Sequence, residues 1–247
     1  MDKLFFMGKF MLFDKIKERK RPPVSGVDLE HSLNYISARG IPLEWFYSSF
    51  TAPEAFYRSG SCKYLERIVE NHISLEMTCL SKIDVLVNIV RNEMPHYSTL
   101  GLLGPTDRGI KEEELLLSGE GWCNEQARAF LALTQIAGYP SRLVFASCEG
   151  VGAHVLSEVY IHDRWILVDQ TEAFIFVTSN GTPVNVMDIK QFSDIWQDVD
   201  KLYKARLMEN RSKAINIDFW DTWVPYSLVE NPLRLFTNVG YCNYFIH

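Results

Sequence analysis

The chain has 247 residues, of which 47% are hydrophobic and 23% are charged, and this composition fits one medium globular domain with a sizeable core. Its net charge is −6, and residues 1–23, with seven Lys/Arg and three Asp/Glu, contribute +4, so the remaining residues carry −10. Because affinity for nucleic acid begins with a cationic surface, this acidic body excludes duplex nucleic acid as the main partner.

The N-terminal segment, residues 1–23, mixes apolar and basic residues. Its apolar run is broken by Gly8 and Lys9 and lacks a small-residue cleavage site, so it does not fit a signal peptide. No stretch of the chain approaches the roughly 20 apolar residues of a membrane-spanning helix. Two interpretations stay open: an amphipathic helix that contacts anionic lipid, and a helix packed on the body, followed by a basic tether. We favour the second.

The chain has five cysteines and no Cys-x-x-Cys pair: Cys62, Cys79, Cys123, Cys148 and Cys242. This odd, unpaired set predicts neither a zinc site nor a complete disulfide framework, and no cofactor is expected. Without a signal peptide, we expect a reduced, cytoplasmic protein.

The first third of the chain has the pattern of helices. Residues 28–40 and 42–60 each end on a glycine, and 81–94 have Ser81 as a plausible N-cap before apolar residues at helical spacing. Residues 95–110 have the Gly/Pro/Ser/Thr content of a loop, and a short acidic helix is expected over 111–119.

The second half changes from a helix to strands. A helix is predicted from Asn124 to Gly138, where the glycine fits a helix end. Short β-branched and aromatic runs then predict four strands, at 141–147, 154–161, 164–170 and 174–177. Their short links require antiparallel neighbours. After Asp188 the pattern is helical again, and the last thirty residues carry no clear signal.

These elements predict an α+β fold in four parts. A basic and apolar segment (1–23) precedes a helical extension (24–80) and a core of helices and strands (81–187). A C-terminal extension of helical and irregular structure (188–247) is expected to pack on that core.

Cys123 lies in the stretch GEGWCNEQARAF, where the predicted helix begins. A free cysteine has a pKa near 8.5, and the positive end of a helix dipole stabilises its thiolate. Gly119 and Gly121 before it allow sharp turns and the close approach of a substrate. This position favours a reactive thiol, although a small buried filler is the alternative for a cysteine at a helix start.

His154 opens one predicted strand and Asp169 ends the next. In a hairpin turned by residues 162–164, the start of one strand lies beside the end of its partner, so both residues are expected at the same end of the sheet. Alternation also places His154, Leu156 and Glu158 on one face. An aspartate there can orient an imidazole and stabilise its cation, whereas each residue alone could equally be structural.

The stretch GEGWCNEQARAFLALTQIAGYPSRLV, with the later GAHVLSEVYIHDRWILVDQT, resembles the transglutaminase-like superfamily, whose fold is papain-like. The resemblance covers roughly residues 80–172. It implies a helix with the nucleophile at its start, packed on a small antiparallel sheet, with helical N- and C-terminal flanks. It also implies Cys123 as nucleophile, His154 as general base and acid, and Asp169 as the orienting carboxylate.

The same resemblance suggests further residues of the cleft. Tyr97 corresponds to the second oxyanion donor, with a packing role as the alternative, and Trp122 is expected to shape the cleft or join the core. Glu158 either braces the fold or is solvated. Leu156 departs from the family's tryptophan, which implies an altered cleft wall, and neither a papain signature nor a calcium loop is present.

The expected function is thiol-dependent acyl transfer on a protein or peptide substrate, through a thioester. Hydrolysis is favoured over crosslinking, because water is always present while an amine acceptor must be bound. The alternative is a binding or scaffold module that keeps the fold without turnover. The sequence does not indicate the oligomeric state.

Overall fold

The computed structural model describes residues 57, 59–100, 110–148, 152–214 and 238–243. The basic segment 1–23, and with it the membrane-contact alternative, lies outside these described residues. The predicted helix over 28–40 and nearly all of the predicted helix over 42–60 also lie outside the described residues. Among the residues described, no helix has both the length and the apolar character that crossing a bilayer requires.

Helices precede the sheet in the chain. Their bounds are α1 (Lys63–His72), α2 (Cys79–Glu93), the short α3 (Tyr97–Leu100), α4 (Glu112–Ser118) and α5 (Cys123–Ile136). Helix α5 is almost wholly buried, because every residue from Asn124 to Gln135 is covered by neighbouring elements. It is therefore the central helix of the fold.

A five-stranded antiparallel sheet follows. Its strands are β1 (Ser141–Cys148), β2 (Gly152–Ile161), β3 (Arg164–Asp169), β4 (Phe174–Ile175) and β5 (Asn238–Asn243). Their order across the sheet is β4-β3-β2-β1-β5. The β2–β3 hairpin turns on His162 and Asp163, both with positive φ, which matches the right-handed twist of the strands that they join. Beyond β4 lie α6 (Val186–Gln191) and α7 (Ser193–Ser212).

Strand alternation gives the sheet two apolar faces, each covered by helices. Val155 and Val168 face the core shared with α1, α2, α4 and α5. Leu156 and Leu167, the next residues along their strands, face a second core formed with α6 and α7. The sheet thus separates two helical layers, and this confirms the α+β prediction of a helix beginning near Cys123 on a small antiparallel sheet.

Several predicted boundaries were wrong for local reasons. Helix α2 begins at Cys79, not after Ser81, because Thr78 is the N-cap and its Oγ1 accepts the Ser81 N–H at 3.1 Å. The loop predicted over 95–110 contains α3. The helical run after Asp188 is two helices, α6 and α7, and α6 begins before that aspartate, at Val186. Residues 238–243, which had no assignment, form the edge strand β5.

A buried ion pair joins the central strands. Arg142 on β1 lies opposite Glu158 on β2, and its Nε donates to the carboxylate at 2.8 Å. The other carboxylate oxygen of Glu158 accepts the Val186 N–H at 3.0 Å, and the guanidinium lies 4.1 Å from the centre of the Trp165 ring. The pair therefore connects β1, β2, β3 and the start of α6.

Removing one member of this pair should be costly. Arg142→Ala leaves a buried carboxylate without its cation, and we expect a loss of about 3–5 kcal/mol in the free energy of unfolding. Arg164→Ala is the matched control, because Arg164 also pairs with a carboxylate, that of Asp188, but has 42% of its side chain exposed. Its loss should be below about 1 kcal/mol. Urea denaturation measures both, and equal losses would contradict the assignment.

Candidate active site

Cys123 is the first residue of α5 and is partly exposed. The preceding residue, Trp122, has extended backbone angles, and its N–H donates to the Glu125 carboxylate at 3.1 Å, which fixes the first turn of the helix. The chain enters through Gly121, where a Cβ would meet Met94 Cε at 2.1 Å. A side chain at Gly121 would thus force the buried Met94 side chain to shift, so the structure indicates a packing role for this glycine, whereas the sequence suggested a role in substrate approach.

One side of this helix start is covered by aromatic rings. The chain at the start of α3 runs beside Gly121, whose carbonyl accepts the Tyr97 N–H at 3.1 Å. The rings of His96 and Tyr97 each lie 5.3 Å from the ring of Trp122. The structure therefore brings the two sequence candidates Tyr97 and Trp122 together beside Cys123. Tyr97 is buried, and its role as an oxyanion donor stays a prediction.

His154 and Asp169 meet at the end of the β2–β3 hairpin. The imidazole Nε2 donates to Asp169 Oδ2 at 3.0 Å, and the aspartate is fully buried while 17% of the histidine side chain is exposed. The last paired residues of the two strands at this end are Ser157 and Val168, so His154 lies beyond the ladder. Nδ1 is the ring nitrogen left to face Cys123, which interacts with His154 by hydrogen bond and charge.

Charge raises the pKa of the imidazole. Burial acts to lower the pKa of His154, but the negative charge of Asp169, its hydrogen bond and the neighbouring Cys123 outweigh it and raise that pKa well above the usual value. For Asp169, burial acts to raise the pKa, while the charge and hydrogen bond of His154 lower it overall. An imidazolium opposite a carboxylate is therefore the favoured charge state, and it can stabilise a thiolate at Cys123.

The Asp169 carboxylate has three further donors. Oδ1 accepts the backbone N–H groups of Thr171 at 3.0 Å and Glu172 at 3.2 Å. Oδ2, which accepts the hydrogen bond from His154, also accepts one from the hydroxyl of Tyr203 on helix α7. These bonds compensate for the loss of water around a buried anion.

The two residues after Asp169 hold the nucleophile helix in place. Gln170 Nε2 donates to the carbonyl of Cys123 at 3.1 Å and to that of Val155 at 2.6 Å, so one amide bridges α5 and the strand of His154. Thr171 Oγ1 donates to Gln126 Oε1 at 2.6 Å, and Gln126 Nε2 donates to the Met94 carbonyl at 2.8 Å. Both links connect the first turn of α5 with neighbouring elements, one of them directly with β2.

A second buried carboxylate, Glu172, lies next to Asp169. It accepts a hydrogen bond from Asn210 on α7 and lies 3.8 Å from the guanidinium of Arg91 on α2. Burial and the charge of Asp169 raise the pKa of Glu172, while Arg91 and Asn210 act in the opposite direction. Arg91 also donates to the Thr171 carbonyl, so α2 and α7 converge on the segment that carries Asp169.

Two sequence candidates lie away from the thiol. Glu158 is fully buried in its ion pair with Arg142, so of the two alternatives the structure shows a bracing residue rather than a solvated one. Leu156, expected in an altered cleft wall, is instead fully buried in the second core with Leu167. That expectation was wrong, because alternation places Leu156 on the side of the sheet away from α5.

Sequence reasoning missed several side chains of the site, among them Gln170, Glu172, Arg91 and Tyr203. Gln170 follows the predicted aspartate directly, and this adjacency was the available signal. Within the described ranges, His, Cys, Asp and Glu side chains form no cluster of three or more that could hold a metal ion.

The source of the raised pKa can be tested by Asp169→Asn. Because the carboxylate holds the pKa of His154 up against burial, the variant should lower that pKa by about one unit or more. Titration of ¹⁵N-histidine signals by NMR measures the shift. Asp163→Asn is the control, since Asp163 is exposed at the opposite end of the same hairpin. An unchanged His154 titration in Asp169→Asn would refute the assignment.

Residues 66–170 match the transglutaminase-like superfamily. A solved structure of a candidate cysteine protease from Cytophaga hutchinsonii aligns at 18% identity and a TM-score of 0.41, over 55% of this chain and 46% of its own. A crystal structure of a TGase aligns at 14% identity and a TM-score of 0.37, over 76% of this chain and 52% of its own. The aligned part thus spans about half of each solved chain, and no curated protein matches the sequence. Residues 66–170 of this chain are therefore similar to the transglutaminase-like superfamily.

Proposed function

We propose that this protein is a thiol-dependent acyl-transfer enzyme, with Cys123 as nucleophile, His154 as general acid and base, and Asp169 as the orienting carboxylate. The observation that supports it most directly is the 3.0 Å bond from His154 Nε2 to Asp169 Oδ2, on an imidazole whose other neighbour is Cys123. Covalent acyl transfer requires a nucleophile, a base and a group that orients the base, and this arrangement supports those three roles.

In the proposed reaction, the Cys123 thiolate attacks the carbonyl carbon of a peptide or carboxamide bond. The carbonyl oxygen becomes an oxyanion, and the backbone N–H of Cys123 at the start of α5 is one donor available to it. The His154 imidazolium gives its proton to the nitrogen of the leaving amine as the carbon–nitrogen bond breaks. A thioester on Cys123 and a neutral imidazole remain.

In the second half, the neutral imidazole removes a proton from the acyl acceptor, which attacks the thioester and releases the thiolate. Water as acceptor gives a carboxylic acid, and an amine gives a new amide. We propose hydrolysis of a protein or peptide substrate as the main outcome, because an amine acceptor needs its own binding site and the exclusion of water.

A thiol nucleophile must stay reduced to act. Cys62, Cys79 and Cys123 are free thiols in the structure. Because disulfides form and persist in oxidising compartments, we propose that the enzyme acts in the cytoplasm.

Alkylation by iodoacetamide between pH 5 and 9 tests the activated thiol. We expect Cys123 to react well below pH 8, because the His154 imidazolium stabilises its thiolate. His154→Ala should move the profile up toward the ordinary cysteine pKa near 8.5. Cys79, which is also partly exposed, is an internal control whose rate should not respond to that variant. A wild-type Cys123 profile centred near 8.5 would favour the scaffold alternative.

Turnover can be tested without knowledge of the substrate. Wild-type protein and Cys123→Ala are incubated with a denatured protein mixture and a labelled primary amine, and the products are analysed by mass spectrometry. We expect new chain ends or deamidated side chains with the wild type alone, in excess over incorporated amine.

Predominant amine incorporation would contradict the preference for hydrolysis while retaining acyl transfer. The same products from Cys123→Ala would exclude that thiol as the nucleophile.

A further inference from the structure

Asp169 Oδ2 accepts a hydrogen bond from His154, and it accepts a second one from the hydroxyl of Tyr203. We infer that Tyr203 is a positioning residue of this site: by donating to the same oxygen, it fixes the carboxylate and limits how tightly Asp169 holds the imidazolium. This inference rests on the proposed function, because a controlled release of the imidazolium proton matters only if His154 acts as the general acid.

The surroundings of Tyr203 fix its hydroxyl in place. The side chain is buried on α7, with its ring 5.1 Å from the ring of Phe174 and 4.9 Å from that of Phe176. These contacts hold the ring at the end of the sheet, where β3 terminates in Asp169. The ring is thus held by apolar packing while the hydroxyl points at the Asp169 carboxylate, so this donor is particular to Tyr203.

Tyr203 remains a donor across the working pH range. Burial and the charges of Asp169 and Glu172 raise the pKa of the phenol well above its ordinary value of 10, so the hydroxyl keeps its proton. A neutral donor draws electron density from Oδ2 without adding a charge. Since the imidazolium of His154 is held by that same oxygen, a second donor weakens the hold.

The other charged groups described near Asp169 do not hydrogen-bond to its carboxylate through their side chains. Glu172 lies on the same segment as Asp169 and is paired with Arg91 from α2, while Cys123 lies across the imidazole. Of the described hydrogen-bonding side chains, those that contact the Asp169 carboxylate are His154 and Tyr203. A change at the Tyr203 hydroxyl therefore alters the Asp169–His154 pair while the neighbouring charges stay in place.

Helix α7 lies wholly beyond residues 66–170, the part of the chain that matches the family. The same helix supplies Asn210 to Glu172, so two of its side chains, seven positions apart, contact the two buried carboxylates. Seven residues are two turns of an α-helix, which places both side chains on one face. That face is the one turned toward the site.

The test is Tyr203→Phe in the full chain, which removes the hydroxyl and keeps the ring. With one donor fewer, Asp169 should hold the imidazolium more tightly, and the pKa of His154 should rise by about half a unit or more in an NMR titration of ¹⁵N-histidine. Transfer of the proton to the leaving amine should then be harder, so acyl transfer at neutral pH should slow several-fold with little change in KM.

Tyr160→Phe is the matched control, because Tyr160 is a half-buried tyrosine of β2 whose ring packs on Trp165, at the far end of the hairpin. It should leave the His154 titration at its wild-type position. A purely structural Tyr203 would change thermal stability without moving that titration. An unchanged or lowered His154 pKa in folded Tyr203→Phe would overturn the inference.

The outcome separates this inference from the proposed function. The His154 titration reports the Asp169–His154 pair whether or not turnover occurs. A wild-type Cys123 that alkylates as an ordinary thiol would defeat the proposed function, while a raised His154 pKa in Tyr203→Phe would still show that Tyr203 controls the pair.

Discussion

The bond between His154 and Asp169 depends on the register of one hairpin. Ser157 pairs with Val168, and the tight turn at His162 and Asp163 sets that pairing. A slip by one residue would move Asp169 to the other face of the sheet, away from the imidazole. The chemistry proposed for Cys123 therefore rests on the strand register, which the buried Arg142–Glu158 pair reinforces from the neighbouring strand.

Asp169 is an anion with no access to solvent, and burial alone would neutralise it. It remains an anion because it has four donors from three parts of the fold: His154 on a strand, two backbone amides of the following turn, and Tyr203 on a helix. The adjacent Glu172 adds a second negative charge, whose effect Arg91 counters. Hydrogen bonds and ion pairs thus stabilise both buried carboxylates. Such a network is stable only if each of its polar groups has a partner.

The sequence predicted the parts of the site that depend on local geometry. Cys123 at a helix start follows from the glycines before it and the apolar spacing after it, and the proximity of His154 and Asp169 follows from counting along a hairpin. Tyr203 could not be found this way. Its contact with Asp169 spans 34 positions and depends on how α7 packs across the sheet, which no local pattern encodes.

The same distinction explains the misplaced residues. Leu156 was assigned to a cleft wall from a family pattern, but strand alternation decides its side, and the second core formed by α6 and α7 covers that side. The predicted helix boundaries were wrong by a few residues. The position of a cap such as Thr78 depends on a side-chain hydrogen bond, which apolar spacing does not indicate. Tertiary contacts thus decide what local patterns leave open.

The site lies where the two helical layers meet at one end of the sheet. The layer on one face supplies Cys123, and the layer on the other supplies Tyr203, while His154 and Asp169 belong to the strands between them. Because the ladder of β2 and β3 ends before His154, the imidazole at that end can contact a group from each layer. Helix α7 therefore does more than cover apolar surface: it contributes a donor to the carboxylate that sets the charge of the imidazole facing the thiol.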